Sequence, residues 1–133
     1  MRVFFDTNIL LDVALRREPH CANSREVLAK GIEQASCYLS WHTVSNIAYI
    51  LGKCESNAVA LKFIQEITTV CRIAPVEHKD LQVALDHNAG DLEDAMQIAA
   101  ALSVQADFII TRDSSGFANC PIKIINPSAD ALM

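Results

Sequence analysis

The sequence has little of what bends, crosslinks or anchors a chain. It holds only four glycines and four prolines in 133 residues, and no long linker or low-complexity stretch marks a domain boundary. No apolar run approaches the ~18–20 residues of a membrane span, so no membrane association is expected. There is no CxxC pair and no Cys/His cluster. The five cysteines, Cys21, Cys37, Cys54, Cys71 and Cys120, are odd in number and scattered. That pattern predicts reduced core or boundary thiols, not a disulfide framework or a structural zinc site. Positive charge is also short: the net charge is −5 and the pI is near 5.2. Proteins that hold nucleic acid by bulk charge are basic. Any contact with RNA or DNA must therefore use a local basic patch, a bound metal or a partner.

What is present is apolar material. Hydrophobic residues make up 51% of the chain and charged residues 20%, enough to build a core and to exclude disorder. The length fits one domain, residues 1–133. Asp6 interrupts the opening apolar run, which favours a strand over a secretory leader, so a cytoplasmic location is expected.

The hydrophobic pattern alternates short strands with helices. Arg2–Phe5 reads as a buried strand closed by Asp6. Thr7 or Asn8 can cap a helix carrying Ile9, Leu10, Val13 and Ala14. Pro19 opens a second helix through Val27, Leu28 and Ile32, followed by a strand at Cys37–Leu39. Ser40 caps a third helix with Trp41, Val44, Ala48 and Leu51 on one face. Ser56 caps a fourth with Val59, Phe63 and Ile67. Cys71–Ala74 is a strand stopped by Pro75. Glu77–Asn88 is helical, with Leu81, Ala84 and Leu85 inward, and Gly90 breaks the chain. Asp91–Gln105 is a long helix with Leu92, Met96, Ala99 and Leu102 at core spacing. Asp107–Ile110 and Ile122–Ile125 complete the strands. Such alternation implies parallel pairing with helices on both faces. Ligands then bind beyond the carboxyl ends of the strands, where the winding order reverses.

That rule selects carboxylates. Asp6 follows the first strand, and Asp113 follows the strand at 107–110. Asp91, Glu93 and Asp94 open the long helix, whose N-terminus favours negative charge. If these segments are neighbours, their carboxylates converge and repel one another. A hard divalent cation relieves that repulsion, and Mg²⁺ needs only a few carboxylates. Simpler readings stand beside this one. Asp91 is a natural N-cap, Glu93 a solvated first-turn charge, and Asp113 a turn residue before Ser114-Ser115-Gly116. Asp6 is harder to dismiss, because a carboxylate straight after an apolar strand is costly unless paired or metal-bound.

Four segments in order, FFDTNILLDV at 4–13, LSWHTVSNIAYIL at 39–51, DLEDAMQIAAAL at 91–102 and DFIITRD at 107–113, resemble the PIN domain family of metal-dependent ribonucleases. The resemblance implies a three-layer α/β/α, Rossmann-like fold with a mostly parallel sheet of four to five strands. It implies Mg²⁺ or Mn²⁺ as cofactor, RNA as substrate, and a metal and catalytic set of Asp6, Asp94 and Asp113. Thr7 and Asn8 complete the family's DTN signature, and Thr111 matches a small hydroxyl residue beside the last acid. Many small bacterial members are toxins of toxin–antitoxin pairs. The resemblance thus implies an endoribonuclease, a homodimer and a small antitoxin protein as partner. One position departs. Where many members carry a glutamate on the helix after the second strand, this chain has Asn46. An amide oxygen can ligate a cation but brings no charge, so Asp91 or Glu93 becomes a candidate replacement.

Basic residues near these acids are candidates for phosphate contact: Arg112 beside Asp113, and Arg16 in the stretch Arg16, Arg17, Arg25 after the first helix. His42 shares a helix face with Asn46, with Lys53 nearby, and can line a groove or sit solvated. His20, His78 and His87 show no ligand spacing. Two other readings compete with the nuclease. One is a PIN-like module of lapsed activity that binds protein or RNA, favoured by Asn46 and the acidic pI. The other is a phosphotransfer domain with Asp6 as phosphoacceptor. It lacks a second acid at Asn8 and a lysine after a later strand.

Overall fold

The computed structural model describes residues 1–87, 91–128 and 131–132. The element order is β1 (Arg2–Phe5), α1 (Thr7–Leu15), α2 (Cys21–Gln34), β2 (Ser36–Leu39), α3 (Trp41–Cys54), α4 (Asn57–Val70), β3 (Cys71–Ile73), α5 (His78–His87), α6 (Leu92–Ser103), β4 (Phe108–Ile110), a 3₁₀ turn (Ser114–Phe117) and β5 (Lys123–Ile125). The five strands form one sheet in the order β3-β2-β1-β4-β5, and every pairing is parallel. This is the α/β architecture that the strand–helix alternation predicts. No helix among the described residues is long and apolar enough to cross a membrane.

Side chains alternate across β1. Val3 and Phe5 join the core cluster beneath α1, α2, α3 and α4, with Ile9, Leu10, Val27, Leu39, Ile47 and Leu51. Phe4 points the other way, into the cluster with Ile98, Ala101, Ile109 and Phe117. Burying each of these phenyl rings contributes about 1.5–3 kcal/mol. On the first face, Gly31 lets α2 close on the sheet, since a Cβ there would meet Phe5 Cζ at 2.7 Å. The winding runs outward from β1 to β3, then crosses back to β4 on the other side of β1. The reversal therefore falls between β1 and β4, at the carboxyl ends that carry Asp6 and Thr111.

Several local expectations change. Asp6, not Thr7 or Asn8, caps α1: its side chain accepts from the Thr7 amide. Pro19 lies before α2, whose N-cap is His20. Ser40 and Ser56 cap α3 and α4 as the pattern predicts. On α3 the buried face is Thr43, Ile47 and Leu51, while Trp41 is 70% exposed. Leu81, Leu85, Leu92 and Leu102 are also exposed. The α5–α6 contact closes instead through Ala84, Ala95 and Ala99, because small side chains let two helices approach. Asn88 and Gly90 lie outside the described residues. All five cysteines are free, and Cys21, Cys37 and Cys71 are buried.

Candidate metal centre and active site

Asp6 sits at the reversal point and is 7% exposed. Its backbone N–H donates to Ile110 O at 3.0 Å, which ties the end of β1 to β4. Its carboxylate is held by neutral donors. Oδ1 accepts from Thr7 N at 2.8 Å and from Gln97 Nε2 at 3.0 Å. Oδ2 accepts from Thr111 Oγ1 at 2.8 Å. Thr111 Oγ1 in turn accepts from the Asp113 amide at 3.1 Å, so one hydroxyl links two of the predicted acids.

Gln97 is wholly buried on α6. Besides Asp6, its Nε2 reaches Thr7 Oγ1 at 3.2 Å and Thr43 Oγ1 at 3.3 Å. Thr7 and Thr43 share a hydrogen bond of 2.8 Å, and Thr43 continues to Ser40 at 2.7 Å. Among the described residues Gln97 Oε1 has no partner, a loss that costs about 1–3 kcal/mol. Gln97 is not among the residues that the sequence motifs single out. The signal was there: a lone amide in the apolar run AMQIAAAL, three residues after Asp94 and so on its face of the helix.

One open cleft of about 330 Å³ is lined by Asp6, Thr7, Asn8, Leu11, Asn46, Ile50, Asp91, Glu93, Asp94 and Asp113. It gathers the three predicted acids and five of the six supporting residues; Thr111 lies just behind, on Asp6. Asp91 caps α6 as the simpler reading held, accepting from the amides of Glu93 at 2.8 Å and Asp94 at 3.3 Å, yet it also faces the cleft. Asn46 Nδ2 donates to Glu93 Oε1 at 3.1 Å, which brings a carboxylate to the corner where the chain has an amide. Asp113 Oδ1 accepts from Ser115 Oγ at 2.7 Å, so Asp113 shapes the turn and borders the cleft. Gly116 lies behind Asp94 and Asp113: a Cβ there would collide with Asp94 Oδ2 and lie 3.4 Å from Asp113 Oδ2.

The electrostatics follow. The Asp94 carboxyl is pushed up to about 6 by partial burial, then by Asp91, Asp6, Asp113 and Glu93 around it. The His42 imidazole is lowered by burial, against the pull of Glu93 and Asp6. Among the described residues, no three His, Cys, Asp or Glu side chains close into a preformed cation cage. The donor set nonetheless suits a hard divalent ion: oxygen donors, one amide, and crowded carboxylates whose repulsion a cation relieves. Asp6, Asp94 and Asp113 could hold it.

The two predicted phosphate contacts are placed elsewhere. Arg112 grips Asp12 with one edge of its guanidinium, Nε to Oδ2 at 2.6 Å and Nη2 to Oδ1 at 3.1 Å. Asp12 is fully buried and also accepts from Ser24 Oγ at 2.8 Å. Arg112 therefore clamps the loop after β4 to α1, because a buried carboxylate needs a charged partner. Arg16 ends α1 in a left-handed conformation, φ 53°, beside Glu55 and Val59 and outside the acidic cleft.

A family model described as a PIN domain matches residues 2–115, and the chain belongs to the PIN domain family. Among curated proteins no match is found. Solved structures share the fold. VapBC2 from Rickettsia felis, bound to a DNA fragment from its promoter, aligns at 14% identity over 95% of this chain and 98% of that one, with a TM-score of 0.74. A toxin–antitoxin complex from Klebsiella pneumoniae aligns at 19% identity over 95% and 98%, TM-score 0.73. FitAcB from Neisseria gonorrhoeae aligns at 21% identity over 94% and 97%, TM-score 0.71.

Proposed function

We propose that this PIN domain is a divalent-metal-dependent endoribonuclease and the toxin of a type II toxin–antitoxin pair. The observation that carries the reading is the cleft itself. Among the described residues, five carboxylates line it and no cationic side chain does. An RNA phosphate would be repelled from such a surface unless a cation intervened. Mg²⁺ or Mn²⁺ held by Asp6, Asp94 and Asp113 would supply an activated water and stabilise charge on the phosphate.

The chain's own residues prepare that site. Neutral donors hold the Asp6 carboxylate without cancelling its charge. Thr111 fixes Asp6 and Asp113 relative to each other. Asn46 draws Glu93 toward the cleft, which counters the reading of a lapsed binding module. A small antitoxin that covers the acidic cleft belongs to the same proposal, as does a homodimer. Both rest on the family and on the toxin–antitoxin complexes among its fold relatives. Arg112 is spent on Asp12, so RNA contact is better sought through the metal.

The test pairs calorimetry with cleavage. Wild type is expected to bind Mn²⁺ and to cut RNA in its presence, and Asp6→Asn to lose both. Equal cleavage by the two proteins in highly purified preparations, or no Mn²⁺ binding at millimolar concentration, would sink the proposal.

A further inference from the structure

We infer that Gln97 is the positioning residue for Asp6, orienting its carboxylate for the cleft through Nε2. The inference rests on the nuclease reading only for what Asp6 does next; the orientation itself is independent of it.

An ionised carboxylate offers about four acceptor sites, two on each oxygen. Asp6 Oδ1 accepts from Thr7 N and Gln97 Nε2, so it is filled. Among the described residues, Oδ2 accepts from Thr111 Oγ1 alone. The remaining capacity of Asp6 therefore lies on Oδ2. Removing the Gln97 donor frees Oδ1 and lets the carboxylate turn about its bond to Cβ, with only Thr7 and Thr111 to resist.

The orientation of the Gln97 amide shows which partner matters. An amide nitrogen has two N–H groups, but three acceptors surround this one, at 3.0 Å for Asp6 and at 3.2 and 3.3 Å for Thr7 and Thr43. The shortest contact goes to the charged oxygen. Turning the amide over would set Oε1 against Asp6 Oδ1, acceptor against acceptor. The carboxylate thus dictates the amide's orientation, and the consequence is the orphaned, buried Oε1. Gln97 is wholly buried, and a buried amide costs stability wherever one of its polar atoms goes unpaired. An unsatisfied polar atom kept in a core signals a role beyond stability.

Hydrogen exchange and metal titration test this together. The Thr7 amide donates to Asp6 Oδ1 and reports its position without any metal. In Gln97→Met, similar in length and apolar, Thr7 exchange is expected to quicken at least tenfold while the amides of β1 and β4 keep their protection. Mn²⁺ affinity is expected to fall by about 10–100-fold, the usual effect of losing a group that orients a ligand. If Thr7 exchange and Mn²⁺ affinity both match wild type, the assignment is overturned. If Thr7 exchange quickens but neither protein binds Mn²⁺, Gln97 still positions Asp6 and the metal reading fails instead. A wild-type measurement covers the case of a variant that does not fold. The Gln97 side-chain N–H groups are expected to exchange slowly and to show contacts to Thr7 and Thr43. Exchange as fast as that of an exposed glutamine would overturn the assignment.

Discussion

Asp6 caps the start of α1 and Asp12 lies in the last turn of the same helix, and both are buried. Their surroundings differ in one respect. Asp12 is fully buried and meets Arg112 through two hydrogen bonds, with Arg17 at 3.9 Å. Asp6, 7% exposed, meets only neutral donors: two hydroxyl- and amide-bearing side chains and a backbone N–H. A carboxylate matched by arginine has its charge cancelled and holds structure. One matched by amides and hydroxyls keeps its charge while its position is fixed. Only the second can serve a cation. The contrast separates an acid that builds the fold from one that the fold presents.

The comparison breaks most visibly at Asp12. Asp12→Ala strands Arg112 and Ser24 and is expected to cost about 3–5 kcal/mol of folding stability, read from the denaturant midpoint. Asp6→Asn is expected to leave that midpoint far less changed. Similar losses for both would erase the distinction.

A smaller effect is expected at the rim. Glu93→Gln removes one exposed charge from the cleft and should weaken Mn²⁺ on the order of fivefold. The exchange Asn46→Glu with Glu93→Gln keeps both the charge and the hydrogen bond, so calorimetry should find the affinity restored. If the double variant stays as weak as Glu93→Gln, the Asn46–Glu93 pair is not a relocated carboxylate.

The smallest expected effect is a pH slope. The Asp94 carboxyl is raised from 3.8 to about 6, so the folded protein binds this proton more tightly than the unfolded chain does. Its contribution to metal-free stability is fully present below 3.8 and is lost as pH rises through about 6. Asp94→Asn should flatten that part of the stability profile and raise stability at neutral pH. Mn²⁺ affinity should move oppositely and fall as the medium becomes more acid than about 6. A profile unchanged by Asp94→Asn would place the slope on another group.

Much of this was legible in the sequence, for local reasons. Short apolar runs and the caps Ser40, Ser56 and Asp91 mark elements without reference to the rest of the chain. The parallel rule then directs attention to Asp6 and to the segment ending at Asp113. What escaped depends on distant partners. Asp12 looks like a polar break in ILLDVAL until Arg112, 100 residues on, is seen to hold it. For the same reason Arg112 read as a hand for phosphate. Gln97 needed Asp6, 91 residues away. The faces of α5 and α6 were misjudged because leucine spacing measures apolarity, whereas alanine size decided how closely the helices pack.

The position of β1 between β2 and β4 also governs when the centre comes into being. Asp6 is synthesised well before its partner: the hydroxyl that fixes its second carboxylate oxygen follows 105 positions later. Contacts so remote in sequence form late and slowly. A nascent chain that has not yet released β4 therefore carries the acid without the cleft. The acidic centre assembles only once β4 has joined β1 in the sheet.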